Sequence, residues 1–192
     1  MNLNSKRSRL IIFDFFGVLS SEVAPKFFFN HFNSDEAKIL KDKYFIPGDL
    51  GKYTFYEVLK NISLDYNLDY EELVKEFKSY GKLNYELLNK IKELRNNNYV
   101  ALLSNACSGI FEFLFPNLNF NDYFDKCFIS CDYKMKKPSI EFYELCYKSF
   151  NNIEEAYFID DNIENIKVLK NTPINGVLYT SNLELFKLLN KF

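Results

Sequence analysis

The sequence predicts an α/β fold in which a parallel β-sheet lies between two layers of helices. Three observations support this prediction. Short apolar runs recur along the chain, and stretches with helical periodicity separate them. These runs are apolar throughout instead of alternating, as expected for strands that helices cover on both faces. Several of them stop abruptly at polar residues. We therefore expect a Rossmann-like, three-layer core with polar groups in its loops.

The first predicted strand is Leu10–Phe13, which ends at Asp14. Residues 21–83 then show amphipathic helical periodicity, most clearly in residues 53–62 and 70–80. We interpret residues 21–83 as a small helical cap inserted after the first strand. The core would then consist of residues 1–20 and 84–192.

After this insert, predicted strands and helices alternate. The predicted strands are residues 99–103, 127–130, 156–159 and 176–179, and the predicted helices are residues 85–94, 139–150, 163–170 and 182–190. One strand runs into Ser104-Asn105 and another into Asp160-Asp161. Because ligands of open parallel sheets bind beyond the carboxyl ends of the strands, we expect these residues to meet Asp14 in one crevice.

Composition and charge exclude several classes of function. The chain has 192 residues and a net charge of −2, so nothing favours binding to nucleic acid or to an anionic membrane. The four cysteines form no CxxC pair and His31 is the only histidine, which argues against a zinc site. No run approaches the roughly 20 apolar residues of a membrane span, and no signal peptide is visible. We expect a cytoplasmic protein, and the sequence carries no signal for its oligomeric state.

Four short motifs lie at the predicted strand ends. They are IIFDFFGVL at residues 11–19, LLSN at 102–105, KKP at 136–138 with the helical IEFY at 140–143, and YFIDDN at 157–162, which continues to Asn165 and Ile166. In this order and spacing they resemble the motifs of the haloacid dehalogenase-like (HAD) hydrolase superfamily. The segment GKYTFYEVL at residues 51–59 is similar to a cap segment of phosphatase-like members with a small helical cap.

The resemblance implies a Mg²⁺-dependent phosphatase that acts on a small phosphorylated metabolite, such as a sugar phosphate or a nucleotide. It implies that Asp14 attacks the phosphoryl group and forms an aspartyl-phosphate. Ser104 and Asn105 would donate hydrogen bonds to phosphoryl oxygens. Lys137, which holds the family's position directly before Pro138, would pair with Asp14 and with the phosphoryl group.

The resemblance also implies a metal site, because Mg²⁺ prefers hard oxygen ligands and phosphoryl transfer needs charge neutralisation. The ligands would be the carboxylates of Asp14 and Asp161 and the backbone carbonyl of Phe16. Asp160 would bind the ion directly or through water. Asn165 lies one helical turn after Asp161 and is a candidate to orient that carboxylate.

The sequence departs from the family at Phe16. Most family phosphatases have a second aspartate there, which protonates the leaving group and later activates water. Phenylalanine can do neither, which predicts slow turnover, a leaving group that needs little protonation, or a proton donor from elsewhere. The insert offers Glu22, Asp49, Lys52 and several tyrosines, of which Glu22 is nearest in sequence to the first motif.

Two other functions stay open. The 2-haloacid dehalogenases of the same superfamily have tyrosine at the position of Phe16. They need no metal, usually lack the paired acids and hold the substrate carboxylate with a cap arginine, whereas this chain has no arginine between Arg9 and Arg95. A catalytically weak or inactive phospholigand-binding homologue is favoured by Phe16. Against it, Asp14, Lys137 and the paired acids are costly to cluster without a ligand.

Overall fold

A single parallel sheet forms the centre of the computed structural model, which describes residues 7–192 and confirms the predicted fold class. The strand order is β3-β2-β1-β4-β5, with every pairing parallel. The strands are β1 (Arg9–Phe13), β2 (Tyr99–Ser104), β3 (Lys126–Ile129), β4 (Glu155–Asp160) and β5 (Ile174–Leu178). Since β2 and β4 flank β1 on opposite sides, the order reverses at β1, and such a switch point opens a crevice for a ligand.

Helices cover both faces of the sheet. They are α1 (Ala24–His31), α2 (Ser34–Leu40), α3 (Ile46–Asp49), α4 (Phe55–Tyr66), α5 (Tyr70–Tyr80), α6 (Tyr85–Leu94), α7 (Ile110–Leu114), α8 (Ser130–Tyr133), α9 (Ile140–Lys148), α10 (Ile163–Lys167) and α11 (Asn182–Leu189). A π-helical turn at Lys41–Phe45 joins α2 to α3, and 3₁₀ turns occur at Phe120–Asp122 and Val168–Asn171. None of the helices in residues 7–192 has both the length and the apolarity that a membrane crossing requires.

Alternate residues of β1 enter two separate cores. Ile11 and Phe13 belong to the cluster that contains Ile91 of α6 and Leu185 of α11. The intervening residues of β1 belong to a second cluster, together with Phe142 of α9. Because both faces of β1 are fully buried from Leu10 to Phe13, these four positions are all apolar, which is the pattern from which the fold class was predicted.

The helices α1 to α5 lie between β1 and β2 in the chain, and we refer to residues 24–80 as the helical insert. Its core is aromatic: Phe27, Phe55 and Phe77 are fully buried, and the ring of Phe77 lies 4.6 Å from that of Phe27 and 5.5 Å from that of Phe55. Phe55 also contacts Phe113 of α7, with the ring centroids 5.0 Å apart. The insert therefore packs into the same apolar cluster as one face of the sheet.

Several element ends differ from the predictions. The predicted strand at residues 127–130 is one residue too late, because Ser130 already begins α8. The predicted helix at 163–170 changes to a 3₁₀ turn after Lys167, and α7 was not predicted. Strand β5 starts before Gly176, since its backbone pairs with β4 although its side chains are not a continuous apolar run. A Cβ at Gly176 would lie 2.7 Å from Ile166, so α10 can approach β5 only at a glycine.

Candidate active site

A cavity of about 370 Å³ lies at the carboxyl edge of the sheet, beside the helical insert. The loops after β1 and β4 contribute Asp14 and Asp161 to its wall, and the segment before α9 contributes Lys137. The insert and the loop that leads into it contribute Glu22 and Asp49. The cavity thus combines sheet-end charges with side chains from the helical insert, as expected at a switch point.

Asp14 is held rigidly at the end of β1. Its backbone N–H donates to the carbonyl of Ile159 in β4 at 2.9 Å, and its Oδ1 accepts from the N–H of Phe15 at 2.6 Å. The same oxygen lies 2.6 Å from Nζ of Lys137. Among the described residues, no group donates to Oδ2. Asp14 is only 7% exposed, but it lines the cavity, so Oδ1 is fixed while Oδ2 stays available to a ligand there.

Lys137 is the cation of the site. Its Nζ lies 2.6 Å from Asp14 and 2.7 Å from Asp160, and the residue is 2% exposed. Burial lowers the pKa of Lys137, but the two carboxylates outweigh burial and raise it, so the ammonium stays charged. The amide of Asn105 holds the lysine backbone: its Nδ2 donates to the carbonyl at 3.0 Å and its Oδ1 accepts from the N–H at 2.8 Å.

Asp160 is fully buried and fully hydrogen-bonded. Its oxygens accept from Nζ of Lys137, from the backbone N–H of Asn162 at 2.8 Å, and from Nδ2 of Asn165 at 2.9 and 3.1 Å. The prediction that Asn165 orients Asp161 is therefore wrong, because its amide, one turn into α10, points back to the end of β4. The carboxylate of Asp160 serves to position Lys137.

Asp161 is exposed, and its carboxylate accepts no hydrogen bond from any other residue within 7–192. It lies directly over the turn that follows Asp14, because a Cβ at Gly17 would clash with the carboxylate of Asp161. Gly17 also has φ +84°, a left-handed conformation that glycine adopts without strain. Glycine at this position therefore brings the Asp161 carboxylate close to the end of β1.

These carboxylates form an all-oxygen cluster that fits Mg²⁺. One oxygen each from Asp14, Asp160 and Asp161 lies within 4.8 Å of the others. The carbonyl of Phe16 accepts no hydrogen bond from the described residues, so it is a further hard donor. Burial raises the pKa of Asp14, and repulsion from Asp160 adds to the effect; the same two causes raise the pKa of Asp161. A divalent cation would relieve this excess of negative charge.

Of the second motif, Ser104 is not among the residues that line the cavity. It ends β2 and is fully buried, and its Oγ has no hydrogen-bond partner in the described part of the chain. Asn105 does line the cavity, and its Nδ2 keeps one N–H beyond the bond to Lys137. No sequence pattern indicated a role for Ser130, whose buried hydroxyl donates to the carbonyl of Asp49 at 2.6 Å and accepts from the N–H of Ala106 at 2.9 Å. Ser130 thus fastens the insert to the loop after β2.

Comparison with known proteins agrees with this geometry. A family model for haloacid dehalogenase-like hydrolases matches residues 9–172. The chain belongs to this family. Its membership confirms the superfamily predicted from the four motifs and makes the protein a hydrolase.

This HAD-like hydrolase is similar to proteins of different activities. Drimenol cyclase drtB of Aspergillus calidoustus is 26% identical over 165 residues, which are 84% of this chain but 28% of the cyclase, so the chain spans about a quarter of that relative. The HAD family enzyme bt-2542 of Bacteroides thetaiotaomicron, solved as a magnesium complex, superposes with a TM-score of 0.76 at 24% identity, covering 95% of this chain and all of that one.

A second structure of bt-2542, in complex with magnesium and inorganic phosphate, gives a TM-score of 0.74 at 24% identity and covers 91% of this chain and 95% of that one. The L-2-haloacid dehalogenase of Xanthobacter autotrophicus gives 0.58 at 16% identity and covers 95% and 82%. At these identities the solved structures show a shared fold.

The HAD-like hydrolase has an aromatic wall where most family phosphatases have their acid. The ring of Phe16 stacks on Phe111, with the centroids 5.9 Å apart and the planes at 9°, and it lines the cavity. Two carboxyl groups line the same cavity. Burial, followed by repulsion from Asp161, raises the pKa of Glu22 to about 7. Burial likewise raises the pKa of Asp49 to about 6. Lys52, the third candidate donor, is not among the residues that line it.

Proposed function

We propose that this HAD-like hydrolase is a Mg²⁺-dependent phosphatase that acts on a small phosphorylated metabolite through an aspartyl-phosphate on Asp14. One observation carries the proposal: a buried ammonium, Lys137, joins Asp14 on one side of the cavity while the carboxylate of Asp161 stays unpaired beside it. The bt-2542 complex with magnesium and inorganic phosphate supports it, because that enzyme shares the fold.

In this proposal Asp14 supplies the nucleophilic oxygen and Lys137 pairs with the charge on the phosphoryl group. Asn105 and Asp160 hold Lys137 in place before the substrate arrives, so little reorganisation is needed during the reaction. Ser104 would donate a hydrogen bond to a phosphoryl oxygen, since a buried hydroxyl without a partner is uncommon in proteins.

The metal ligands in the proposal are the carboxylates of Asp14 and Asp161 and the carbonyl of Phe16. When bound, Mg²⁺ neutralises phosphoryl charge and orients the transferring group. Asp160 contributes through Lys137 or through a bridging water, because its oxygens already accept four hydrogen bonds. Residues 21–83 act as the cap, which contacts the organic part of the substrate.

A phosphate-release screen with the wild-type protein tests the proposal. We expect release of inorganic phosphate from at least one class of small phosphomonoester, and we expect EDTA to abolish it and added Mg²⁺ to restore it. Halide release from 2-chloropropionate without metal would assign the dehalogenase function instead. Saturable binding of phosphoesters without turnover would assign the protein to the phospholigand-binding class.

Binding of Mg²⁺ can be measured without a substrate, through its effect on thermal unfolding. Thermal unfolding should shift upward by roughly 5–10 °C at a Mg²⁺ concentration of about 100 times Kd, because a ligand at that concentration stabilises the native state by about 2.7 kcal/mol. Asp161→Asn should abolish the shift. Glu164→Gln, which removes an exposed carboxylate on the adjacent helix, is the matched control and should keep it. An undiminished shift in Asp161→Asn would contradict the assigned ligand set.

A further inference from the structure

Because Phe16 replaces the usual acid, the site lacks the family's proton donor for the leaving group. Breaking the P–O bond of an alkyl phosphate expels an alkoxide, which needs a proton in the transition state. Phe16 cannot provide it, and its ring is packed against Phe15 and Phe111, with centroid distances of 5.1 and 5.9 Å. Lys137 is held between two carboxylates and stays charged. A proton donor for the leaving group must therefore come from elsewhere on the cavity wall.

Glu22 is placed to fill this gap. It follows the turn after Asp14 and lines the same cavity, half-buried, with no hydrogen bond or ion pair to any residue in 7–192. The neighbouring Ser21 pins its backbone, because its N–H donates to the carbonyl of Lys82 at 2.9 Å and its Oγ accepts from the N–H of Lys82 at 3.0 Å. Glu22 therefore starts from a fixed stretch of backbone, and its carboxyl group is free to hydrogen-bond to a bound ligand.

Asp49 is the competing carboxyl group, and its surroundings are less suitable. Its Oδ1 already accepts a hydrogen bond from Sγ of Cys107 at 3.7 Å, and its backbone carbonyl is bound to Ser130. Burial raises the pKa of Asp49, whereas the Cys107 hydrogen bond and then the charges of Lys136 and Lys41 lower it. Burial also raises the pKa of Glu22, and among nearby charges Asp161 raises it and Lys137 lowers it most. Both groups line the cavity, but one carboxylate oxygen of Asp49 is already hydrogen-bonded, whereas Glu22 keeps both oxygens free of partners among residues 7–192.

We propose that Glu22 replaces the missing acid and makes this protein competent for alkyl phosphates, an inference that rests on the proposed phosphatase function. In the first step an oxygen of Asp14 bonds to phosphorus, the ester P–O bond breaks, and the carboxyl proton of Glu22 goes to the departing oxygen to give an alcohol. In the second step water attacks the phosphorus of the aspartyl-phosphate and gives its proton to the Glu22 carboxylate. The P–O bond to Asp14 breaks, which releases phosphate and regenerates both side chains.

The test uses phosphomonoesters with graded leaving groups, from 4-nitrophenyl phosphate through phenyl phosphate to alkyl phosphates. In Glu22→Gln, we expect kcat/KM for alkyl phosphates to fall by about 10²–10⁴-fold, the usual contribution of a general acid. The value for 4-nitrophenyl phosphate should change little, because nitrophenolate leaves without a proton. Asp49→Asn is the matched control and should leave the dependence on leaving-group pKa as in wild type.

A merely structural role for Glu22 would not produce this selectivity. Equal losses for all esters, or no loss for any, would overturn the inference, as would a selective loss in Asp49→Asn instead. Wild-type activity confined to nitrophenyl phosphate would overturn it too, since no acid would then be operating. As a second variant, Glu22→Asp, which keeps a carboxyl group, should retain more alkyl phosphate hydrolysis than Glu22→Gln, whereas 4-nitrophenyl phosphate hydrolysis should be equal in the two variants. If the wild type hydrolyses no phosphomonoester with Mg²⁺, the phosphatase proposal itself fails.

Discussion

Replacing Asp14 with asparagine is expected to abolish Mg²⁺-dependent phosphate release, with a loss of at least about 10³-fold, as for other covalent nucleophiles. The amide cannot form the phosphoryl intermediate. Wild-type protein quenched in acid during turnover should carry a phosphoryl group that hydroxylamine removes, and Asp14→Asn should carry none. Intact-protein mass spectrometry measures both. Asp42→Asn, at an exposed position of the insert, is the control and should behave as wild type.

The same variant should remain folded, which separates loss of chemistry from loss of structure. Burial and the nearby Asp160 raise the pKa of Asp14, so its charge is unfavourable in the native state without metal. Asparagine removes that charge, and Lys137 still pairs with Asp160 at 2.7 Å. We expect a melting temperature no lower than that of the metal-free wild type. A folded Asp14→Asn variant with undiminished phosphate release would refute the assignment of the nucleophile.

Replacing Lys137 with methionine is expected to have the largest effect on stability. The ammonium is 2% exposed and is shared by Asp14 and Asp160, so its removal leaves two carboxylates buried without their cation. Breaking a buried ion pair on one side typically destabilises by about 3–5 kcal/mol. For a chain of this size that corresponds to a fall in melting temperature of roughly 6–20 °C. Phosphate release should fall by about 10²-fold or more, since a preorganised charge is lost.

A double variant distinguishes the two roles of this lysine. Lys137→Met with Asp160→Asn removes the ammonium and one of its buried carboxylates, so part of the lost stability should return while activity stays low. Lys136→Met, at the adjacent and more exposed lysine, should leave both properties close to wild type. Full stability of the single Lys137→Met variant would show that the buried charges are not as tightly coupled as the distances indicate.

The overall architecture was predictable because it depends on local patterns. Continuous apolar runs such as Leu10–Phe13 are required wherever helices cover both faces of a strand, so they identify a parallel sheet before any contact is known. The polar residues that stop those runs marked the edge of the sheet where the cavity lies. The predicted ends of elements were less accurate. Backbone pairing with β4 starts β5 at Ile174, two residues before the predicted strand, and a change of helix type ends α10 at Lys167.

The identity of the free carboxylate required the tertiary structure. Asp160 and Asp161 are neighbours of the same type, and no local pattern distinguishes them. Their roles separate because Lys137 and Asn165, which arrive from different segments, occupy the oxygens of Asp160 and leave Asp161 over Gly17. The same holds for Glu22, whose nearness to Asp14 in sequence became meaningful only when both lined one cavity.

By itself, then, the sequence determined the α/β class, the superfamily and the set of polar residues at the strand ends, since periodicity and motif order are properties of the chain alone. Tertiary structure decided which of those residues touch. Asn105 holds Lys137 across 32 positions and Lys137 reaches Asp160 across 23. Hydrogen bonds over such separations depend on how strands and loops pack, and the local sequence around each residue does not encode them.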